Sequence, residues 1–349
     1  MLRTRYRVLV AWLTVSLLCL VLAQSFLVTS ASHPAAARMR RAAQLADSWL
    51  RIVEEAKARH VGMPPPAPGT RHAGLLGEEL TPLTTTLGSL EAKVTALNPD
   101  FAALILRLLS ENAVDSSKTV GVVISGSFPG LAISALAAVR TLGARAVLIS
   151  SLGASSFGAN QPGATWLDME RWLQEGGVEI RSDLVTRGAE GDTGGGLDEE
   201  GLKALQDAAG RSGTGLYVPQ SLIESIETKL RLLRSQGVDF LINIGGNQAS
   251  LGGCRHSSII PTGVHRVLPR CDDADRGLLV RASEAGIPVL HLLNIRDVAF
   301  QYGLPVGEGD AQTTSGGVYA ARAVNRPVVA LLLLFVLVGP WLSLRPQRN

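Results

Sequence analysis

The sequence is poor in cysteine and in net charge, and each shortage argues against a class of function. Three cysteines occur among 349 residues, with neither a CxxC pair nor a His/Cys cluster at metal-ligand spacing. The 33 Lys and Arg residues are nearly balanced by 30 Asp and Glu residues, for a formal net charge of +3. This balance is far from the strong basicity of a general nucleic-acid binder. We therefore predict neither a metal site nor a nucleic-acid partner.

Short motifs that mark nucleotide and serine-hydrolase sites are also missing. NIGGNQ at 243–248 is followed by no GK[ST] and does not fit GxGxxG, so it gives no support to nucleotide binding. GSFPG at 126–130 does not have the glycine spacing around serine that GxSxG requires at a nucleophile elbow. We therefore predict no cofactor.

Long apolar runs are present at both ends of the chain. Residues 8–28 carry no charge and are long enough to span a bilayer as a helix, and residues 328–344 lie at the short end of that range. Three arginines precede the first run, which favours a cytoplasmic N-terminus. We predict a transmembrane anchor at 1–30 and a transmembrane helix with a short basic tail at 326–349. The alternatives are a cleaved signal peptide and a buried core helix.

The region between these runs alternates apolar segments with helices. A helix and a Pro/Gly linker occupy 31–74, and an α/β domain occupies 75–325. The alternation predicts a Rossmann-like, mostly parallel sheet with helices on both faces. The strand candidates are 119–125, 145–151, 178–182, 238–244 and 287–293.

Turns of small polar residues follow three of the strand candidates. SGSFPG follows the first strand and leads into a helix, and similar turns follow the second and the fourth. Because parallel strands bind ligands at their carboxyl ends, these turns predict one pocket at a single edge of the sheet. Backbone N–H groups at a helix start favour an anionic ligand there.

The same turn allows a nucleophilic serine. The candidate catalytic residues are Ser127, Ser125 and Asp168. A triad would need a histidine, and no spacing selects among His256, His265 and His291, or between Asp168 and Asp297. The alternative is a turn in which Gly126 and small serines only bring backbone close to a ligand. For Asp168 and Glu170 the alternative is a helix cap, since residues two apart do not share a helix face.

A local basic segment follows the fourth strand. Its members are Arg255, His256, His265, Arg266 and Arg270, and no acidic residue interrupts them. They predict a patch that attracts a polyanion, unless they pair with the aspartates just downstream. Cys254 and Cys271 flank this segment and are a possible disulfide in an oxidising compartment, although two free thiols are equally compatible with the sequence.

With these residues in view, the chain resembles the poly-γ-glutamate system protein family. The matching stretches are GLLGEELTPLTT, NPDFAALIL, SGSFPGLAI, GANQPGATWLDMERWL, LINIGG and GIPVLHLLNI, together with the two terminal runs. They cover most of the chain, and the pairing of SGSFPGL with TWLDMER is fairly specific. The ligand-binding residues that we predict, all but the last of which match the family pattern, are Ser125, Gly126, Ser127, Phe128, Pro129, Asn160, Trp166, Asp168, Glu170, Asn243, Gly245, Gly246 and Asn247.

The resemblance implies a location and a function but no reaction. It implies a protein of the bacterial cytoplasmic membrane, with its main domain extracytoplasmic, that acts with the machinery making and exporting poly-γ-glutamate. The expected function is that of an accessory protein, with the polymer or its synthase and export subunits as partners and with two spans in membrane lipid. Two alternatives stay open, a serine hydrolase or γ-glutamyl transferase that trims, releases or anchors the polymer, and a non-catalytic scaffold.

Overall fold

The computed structural model of the protein describes residues 10, 12–18, 21, 28–62, 71–253, 260–269, 276–307 and 316–343. The chain divides into two compact units. The core unit is Ala35–Val318, and the terminal unit combines Met1–Pro34 with Tyr319–Asn349. The core unit therefore includes the helix that the sequence predicts before the Pro/Gly linker, and its start lies ahead of residue 75.

The described elements alternate along the core unit. The strands are β1 (Val28–Ser32), β2 (Thr84–Thr86), β3 (Thr119–Ser125), β4 (Arg145–Ser151), β5 (Ala154–Ser155), β6 (Leu184–Thr186), β7 (Phe240–Ile244), β8 (Gly263–His265), β9 (Val289–Leu292) and β10 (Ala320–Val324). The helices are α1 (Ala36–His60), α2 (Leu90–Thr95), α3 (Asp100–Glu111), α4 (Pro129–Leu142), α5 (Trp166–Glu175), α6 (Glu199–Ser212), α7 (Leu222–Ser235), α8 (Gln248–Leu251), α9 (Leu278–Glu284), α10 (Ile295–Tyr302), α11 (Gly316–Tyr319) and α12 (Arg326–Ser343).

Six strands of the core unit form one sheet in the order β6-β4-β3-β7-β9-β8. Five of them are parallel, whereas β8 runs antiparallel to β9. The α/β class is as expected, but the sheet is mixed and not Rossmann-like in the predicted sense. The apolar-run criterion misses β8 because its three residues are all only half-buried.

The strand order reverses between β3 and β7. The chain runs outward from β3 through β4 to β6, and then returns to the other side of β3 as β7. Open α/β sheets bind ligands at such a reversal, outside the carboxyl ends of the strands. The topology therefore points to the ends of β3 and β7 before any side chain is considered.

Helices cover both faces of this sheet. On one face Val123, Ile149 and Leu241 pack in one apolar cluster with Leu233 of α7 and Leu279 of α9. The crossover from β3 to β4 runs in the direction opposite to that from β7 to β9, so α4 lies on the other face, where α1 and α3 pack against it. Burial on both faces explains why β3 and β7 are continuous apolar runs.

Two of the predicted strands, 119–125 and 145–151, coincide with β3 and β4. The predicted strand at 178–182 is wrong, because the third parallel strand is β6. The carboxylate of Glu170 accepts hydrogen bonds from the backbone N and the hydroxyl of Ser182, at 2.8 and 2.6 Å. These bonds tie the segment to α5, so it does not join the ladder of β4.

The terminal unit contains the antiparallel pair β1 and β10 and the helix α12. In the described part of the chain, no helix is both long enough and apolar enough to cross a membrane. The 18 residues of α12 rise only about 27 Å, and they begin with Arg326 and Pro327. The prediction of two spans is therefore wrong for this part of the chain. The inferred cytoplasmic-membrane location, the extracytoplasmic main domain and the contact with lipid lose their basis.

Candidate functional site

A cavity of about 670 Å³ opens at the reversal point of the sheet. Its wall contains the turns after β3 and β7, the strand β5, and the segment from β2 into α2. A glycine-rich loop, Arg187 to Gly196, supplies Ala189, Glu190, Gly195 and Gly196. Among the residues that the sequence predicted for a ligand, Ser125, Ser127, Phe128, Gly246 and Asn247 line this cavity.

The turn after β3 is held by close backbone contacts. Gly126 donates its N–H to the carbonyl of Ser151 at 2.9 Å and accepts a hydrogen bond from the N–H of Ala159 at 2.7 Å. A Cβ atom at Gly126 would lie 2.6 Å from the carbonyl oxygen of Leu152, so a larger residue does not fit. This turn places Ser125, Ser127 and Phe128 around the start of α4, with Pro129 as the first residue of that helix.

Ser125 brings an unused hydroxyl to the cavity. The residue is 4% exposed, and its Oγ has no hydrogen-bond partner among the described residues. Gly245, with φ at +91°, passes so close that an added Cβ would lie 2.3 Å from this oxygen. Buried hydroxyls are normally satisfied, so an unpartnered one at a cavity wall suggests a ligand contact.

Lys93 of α2 brings a buried amine to the same cavity. The residue is 3% exposed, and its Nζ donates to the carbonyl of Ser127 and lies 2.7 Å from Oγ of Ser155. The Nζ also sits 3.8 Å from the centre of the Phe128 ring. In the described part of the chain, no carboxylate lies within ion-pair distance of this amine. Burial lowers the pKa of Lys93 from 10.5 to about 7.

The glycine-rich loop is anchored by a second buried lysine. Asp192, in the middle of the loop, accepts a hydrogen bond from Nζ of Lys229 at 2.6 Å, and both side chains are fully buried. Thr186 and Ser225 also donate to this carboxylate. Burial alone would raise the pKa of Asp192, but Lys229 and the hydroxyls hold it below its ordinary value. The pair fixes the loop that forms one wall of the cavity.

Four predicted ligand residues are used inside the fold instead. Asn160 binds the segment leading to β2, accepting from the N–H of Glu78 at 3.1 Å and donating to its carbonyl at 2.7 Å. Trp166 donates to Glu170 at 3.1 Å, and burial raises the pKa of that carboxyl despite its hydrogen bonds from Ser182 and Trp166. None of these side chains lines the cavity.

Asp168 is the third residue of α5 and closes a capping box with Thr165. Both of its carboxylate oxygens also accept from the guanidinium of Arg211, at 2.8 and 2.9 Å. The side chain is fully buried and joins the start of α5 to the end of α6. The structure therefore gives Asp168 a structural position, as the helix-cap alternative proposed.

No histidine reaches the turn after β3 among the described residues. His291 lies on β9, where its Nδ1 is 3.0 Å from the amide nitrogen of Asn243, and burial lowers its pKa to about 4. Asn243 donates from that amide to the carbonyl of Gly245 as well, at 2.9 Å. His265 makes a 2.7 Å contact with the carbonyl of Pro261. A Ser-His arrangement therefore has no support in the described part of the structure.

The basic segment and the disulfide fall largely outside the described residues. Cys254, Arg255, His256, Arg270 and Cys271 belong to that part of the chain. Of the predicted patch, only His265 and Arg266 are described. Across the described ranges, no group of three or more His, Cys, Asp and Glu side chains is arranged to hold a metal ion.

Sequence reasoning missed Lys93 and Ser155. Lys93 occurs in SLEAKVTAL, a stretch in which a lysine is normally solvated. Ser155 belongs to SSLGASSFG, a stretch that indicates a polar turn without any one serine standing out. Only the pairing of β2 with β5 brings the two segments together at the end of the main sheet.

Comparison with known proteins adds no family to this site. No family model and no curated protein matches the chain. A solved structure found by similarity is LysN, an alpha-aminoadipate aminotransferase from Thermus thermophilus, complexed with N-(5'-phosphopyridoxyl)-L-leucine. It is 15% identical over 85% of this chain, which spans 56% of that protein, and the TM-score is 0.18. A likeness at this TM-score carries no argument, so the resemblance to the poly-γ-glutamate system family stays a prediction.

Proposed function

We propose that this protein binds a carboxylate-bearing γ-glutamyl chain in the cavity at the ends of β3 and β7, as an accessory component of poly-γ-glutamate synthesis or export. The observation that carries the proposal is the buried amine of Lys93, which lines the cavity without a carboxylate partner among the described residues. The ligand class comes from the sequence resemblance, and the site comes from the structure.

A carboxylate ligand would remove the cost of burying this amine. A lysine ammonium in a desolvated site is unfavourable unless an opposite charge lies nearby. A γ-glutamyl chain carries a free carboxylate on each residue, and one of them beside Nζ would supply that charge. Ser125 and Asn247 offer further donors in the same wall. The first turn of α4 adds its helix dipole, since Phe128 gives it no side-chain cap.

The amine also predicts proton uptake on binding. Because the pKa of Lys93 is about 7 in the free protein, part of the population is neutral at neutral pH. A bound carboxylate favours the charged form, so ligand binding should take up a proton at slightly alkaline pH. Calorimetry in buffers of different ionisation enthalpy would measure this uptake directly.

The test is calorimetric titration of the full chain with poly-γ-glutamate. We expect Lys93→Met to weaken binding by about tenfold or more, because a charge-assisted contact is lost. Lys203→Met is the matched control, since the side chain of Lys203 is 76% exposed and lies on α6, away from the cavity. Equal affinities of wild type and Lys93→Met would refute the proposal. A titration with α-linked polyglutamate separates γ-glutamyl recognition from general attraction of polyanions.

A further inference from the structure

We propose that Ser155 and Lys93 form a nucleophile and general-base pair that cleaves an amide bond of the chain held in this cavity. For the identity of the substrate, this inference rests on the proposed function. The catalytic pair itself rests on the geometry around Nζ of Lys93.

The hydrogen bonds of Lys93 suit a neutral amine that accepts a proton. Its Nζ lies 2.7 Å from Oγ of Ser155, while the carbonyl of Ser127 takes an N–H from the same atom. A neutral amine has two N–H groups and one lone pair. One N–H directed at the carbonyl leaves the lone pair free to accept the proton of the Ser155 hydroxyl. In the described part of the chain, no carboxylate holds the amine as an ammonium ion.

The protonation state agrees with this geometry. Burial lowers the pKa of Lys93 to about 7, so much of the amine is a free base near neutral pH. A general base works best when its pKa lies close to the operating pH. An ordinary surface lysine would be almost entirely protonated under the same conditions.

Ser155 is held in place and can be approached from the cavity. Its backbone N–H donates to Oγ of Ser127 at 3.1 Å, and β5 pairs with β2 at this residue. A Cβ at Gly88 would stand 3.1 Å from Oγ of Ser155 and 3.2 Å from Cε of Lys93. The missing side chain at Gly88 therefore leaves space beside the pair, on the cavity side. Among the described serines of the wall, Ser155 is the one whose hydroxyl contacts the amine.

The reaction balances with water as the co-reactant. Oγ of Ser155 bonds to the amide carbonyl carbon while its proton passes to Nζ of Lys93. The C–N bond then breaks, and Lys93 returns the proton to the departing amine. Water attacks the resulting ester and gives a proton to Lys93. The Oγ–C bond breaks, and that proton returns to Ser155, leaving a carboxylic acid and an amine.

The test labels the full-length protein with an alkyl fluorophosphonate and maps the adduct by peptide mass spectrometry. The probe bonds its phosphorus to a serine Oγ with loss of fluoride, so it reports the nucleophile without requiring the natural substrate. On wild type we expect the adduct on Ser155, with a labelling rate that rises through about pH 7 as Lys93 loses its proton. Removing the base should slow labelling by about a hundredfold or more in Lys93→Met.

Lys93→Arg separates this inference from the proposed function. Arginine keeps the positive charge but does not act as a base near neutral pH, so polymer binding should persist while labelling is lost. No adduct on Ser155 in wild type, or an equal rate in Lys93→Met, overturns the pair even if the polymer binds. Labelling that depends on Lys93 in a protein that does not bind poly-γ-glutamate supports the pair and overturns the choice of substrate. The wild-type mapping and pH profile do not depend on how well any variant folds.

Discussion

Two neighbouring strands end in the same residue type but in different surroundings. Ser125 at the end of β3 and Ser151 at the end of β4 are partners in the sheet register. The Oγ of Ser151 contacts Thr186, Asp192 and Lys229, at 2.9, 3.2 and 3.1 Å. The Oγ of Ser125 has no partner among the described residues and faces the cavity.

The lysines beside these two serines differ in the same way. Lys229 is paired with Asp192, whereas Lys93 has only a carbonyl, a hydroxyl and an aromatic ring around its amine. A fully paired buried network holds a loop in one place. A buried cation without its counter-charge costs free energy, and proteins keep such groups mainly where they serve binding or catalysis. The comparison therefore assigns structure to the β4 side and function to the β3 side.

The largest expected effect comes from breaking the paired side. Asp192→Asn keeps the shape of the side chain and suits its φ of +62°, but it leaves Lys229 buried without a counter-charge. We expect the free energy of unfolding to fall by about 3–5 kcal/mol, as measured by urea denaturation. The double variant Asp192→Asn, Lys229→Met should lose less than the sum of the two single variants. Additive losses would show that the two side chains are not coupled.

The next effect is a pH dependence that belongs to the unpaired lysine. Between pH 7 and pH 10.5 the unfolded chain binds a proton at Lys93 that the folded protein largely lacks, so stability rises with pH in this window. The contribution is up to about 1.4 kcal/mol per pH unit, and Lys93→Met should lack it. Urea denaturation of both proteins at about pH 7 and about pH 9 measures the difference. Parallel curves would mean that a negative partner satisfies Lys93 in the folded protein.

A smaller loss of stability is expected at Asp168. Replacing it by Ala removes the hydrogen bonds from Arg211 and the capping box with Thr165. Water can still solvate Arg211, whose side chain is 39% exposed, so we expect a loss of about 2 kcal/mol. Polymer affinity of the folded fraction should not change, because Asp168 does not line the cavity. Weaker binding at full stability would return Asp168 to the ligand-binding residues.

Much of the fold could be predicted from the sequence because burial on both faces leaves a clear pattern. The strands β3 and β4 are uninterrupted apolar runs between turn residues, and the prediction placed both correctly. The segment at 178–182 failed because Glu170 competes for Ser182 through side-chain hydrogen bonds that no periodicity reveals. The terminal runs failed as membrane spans because composition alone does not give the length of the helix that forms.

The site could be predicted only in part, and for a related reason. Ser125, Ser127 and Asn247 were found because they follow strands whose ends meet at one edge. Lys93 comes from a short helix that precedes the first of these strands, and its burial results from tertiary packing. Residues with clear local motifs, such as Asp168 in TWLDMER, serve the helix ends and not the cavity.

The smallest effect compares the two serines directly. Ser151→Ala removes contacts to three buried groups, so the free energy of unfolding should fall by about 1–3 kcal/mol. Ser125→Ala removes a hydroxyl without a described partner, so stability should stay within about 0.5 kcal/mol of wild type. Poly-γ-glutamate affinity should respond in the opposite order, with a loss of about threefold to tenfold confined to Ser125→Ala. Denaturation and titration of both variants decide the matter. If Ser125→Ala costs as much stability as Ser151→Ala, its hydroxyl is already satisfied within the folded protein, and the distinction between the two strand ends fails.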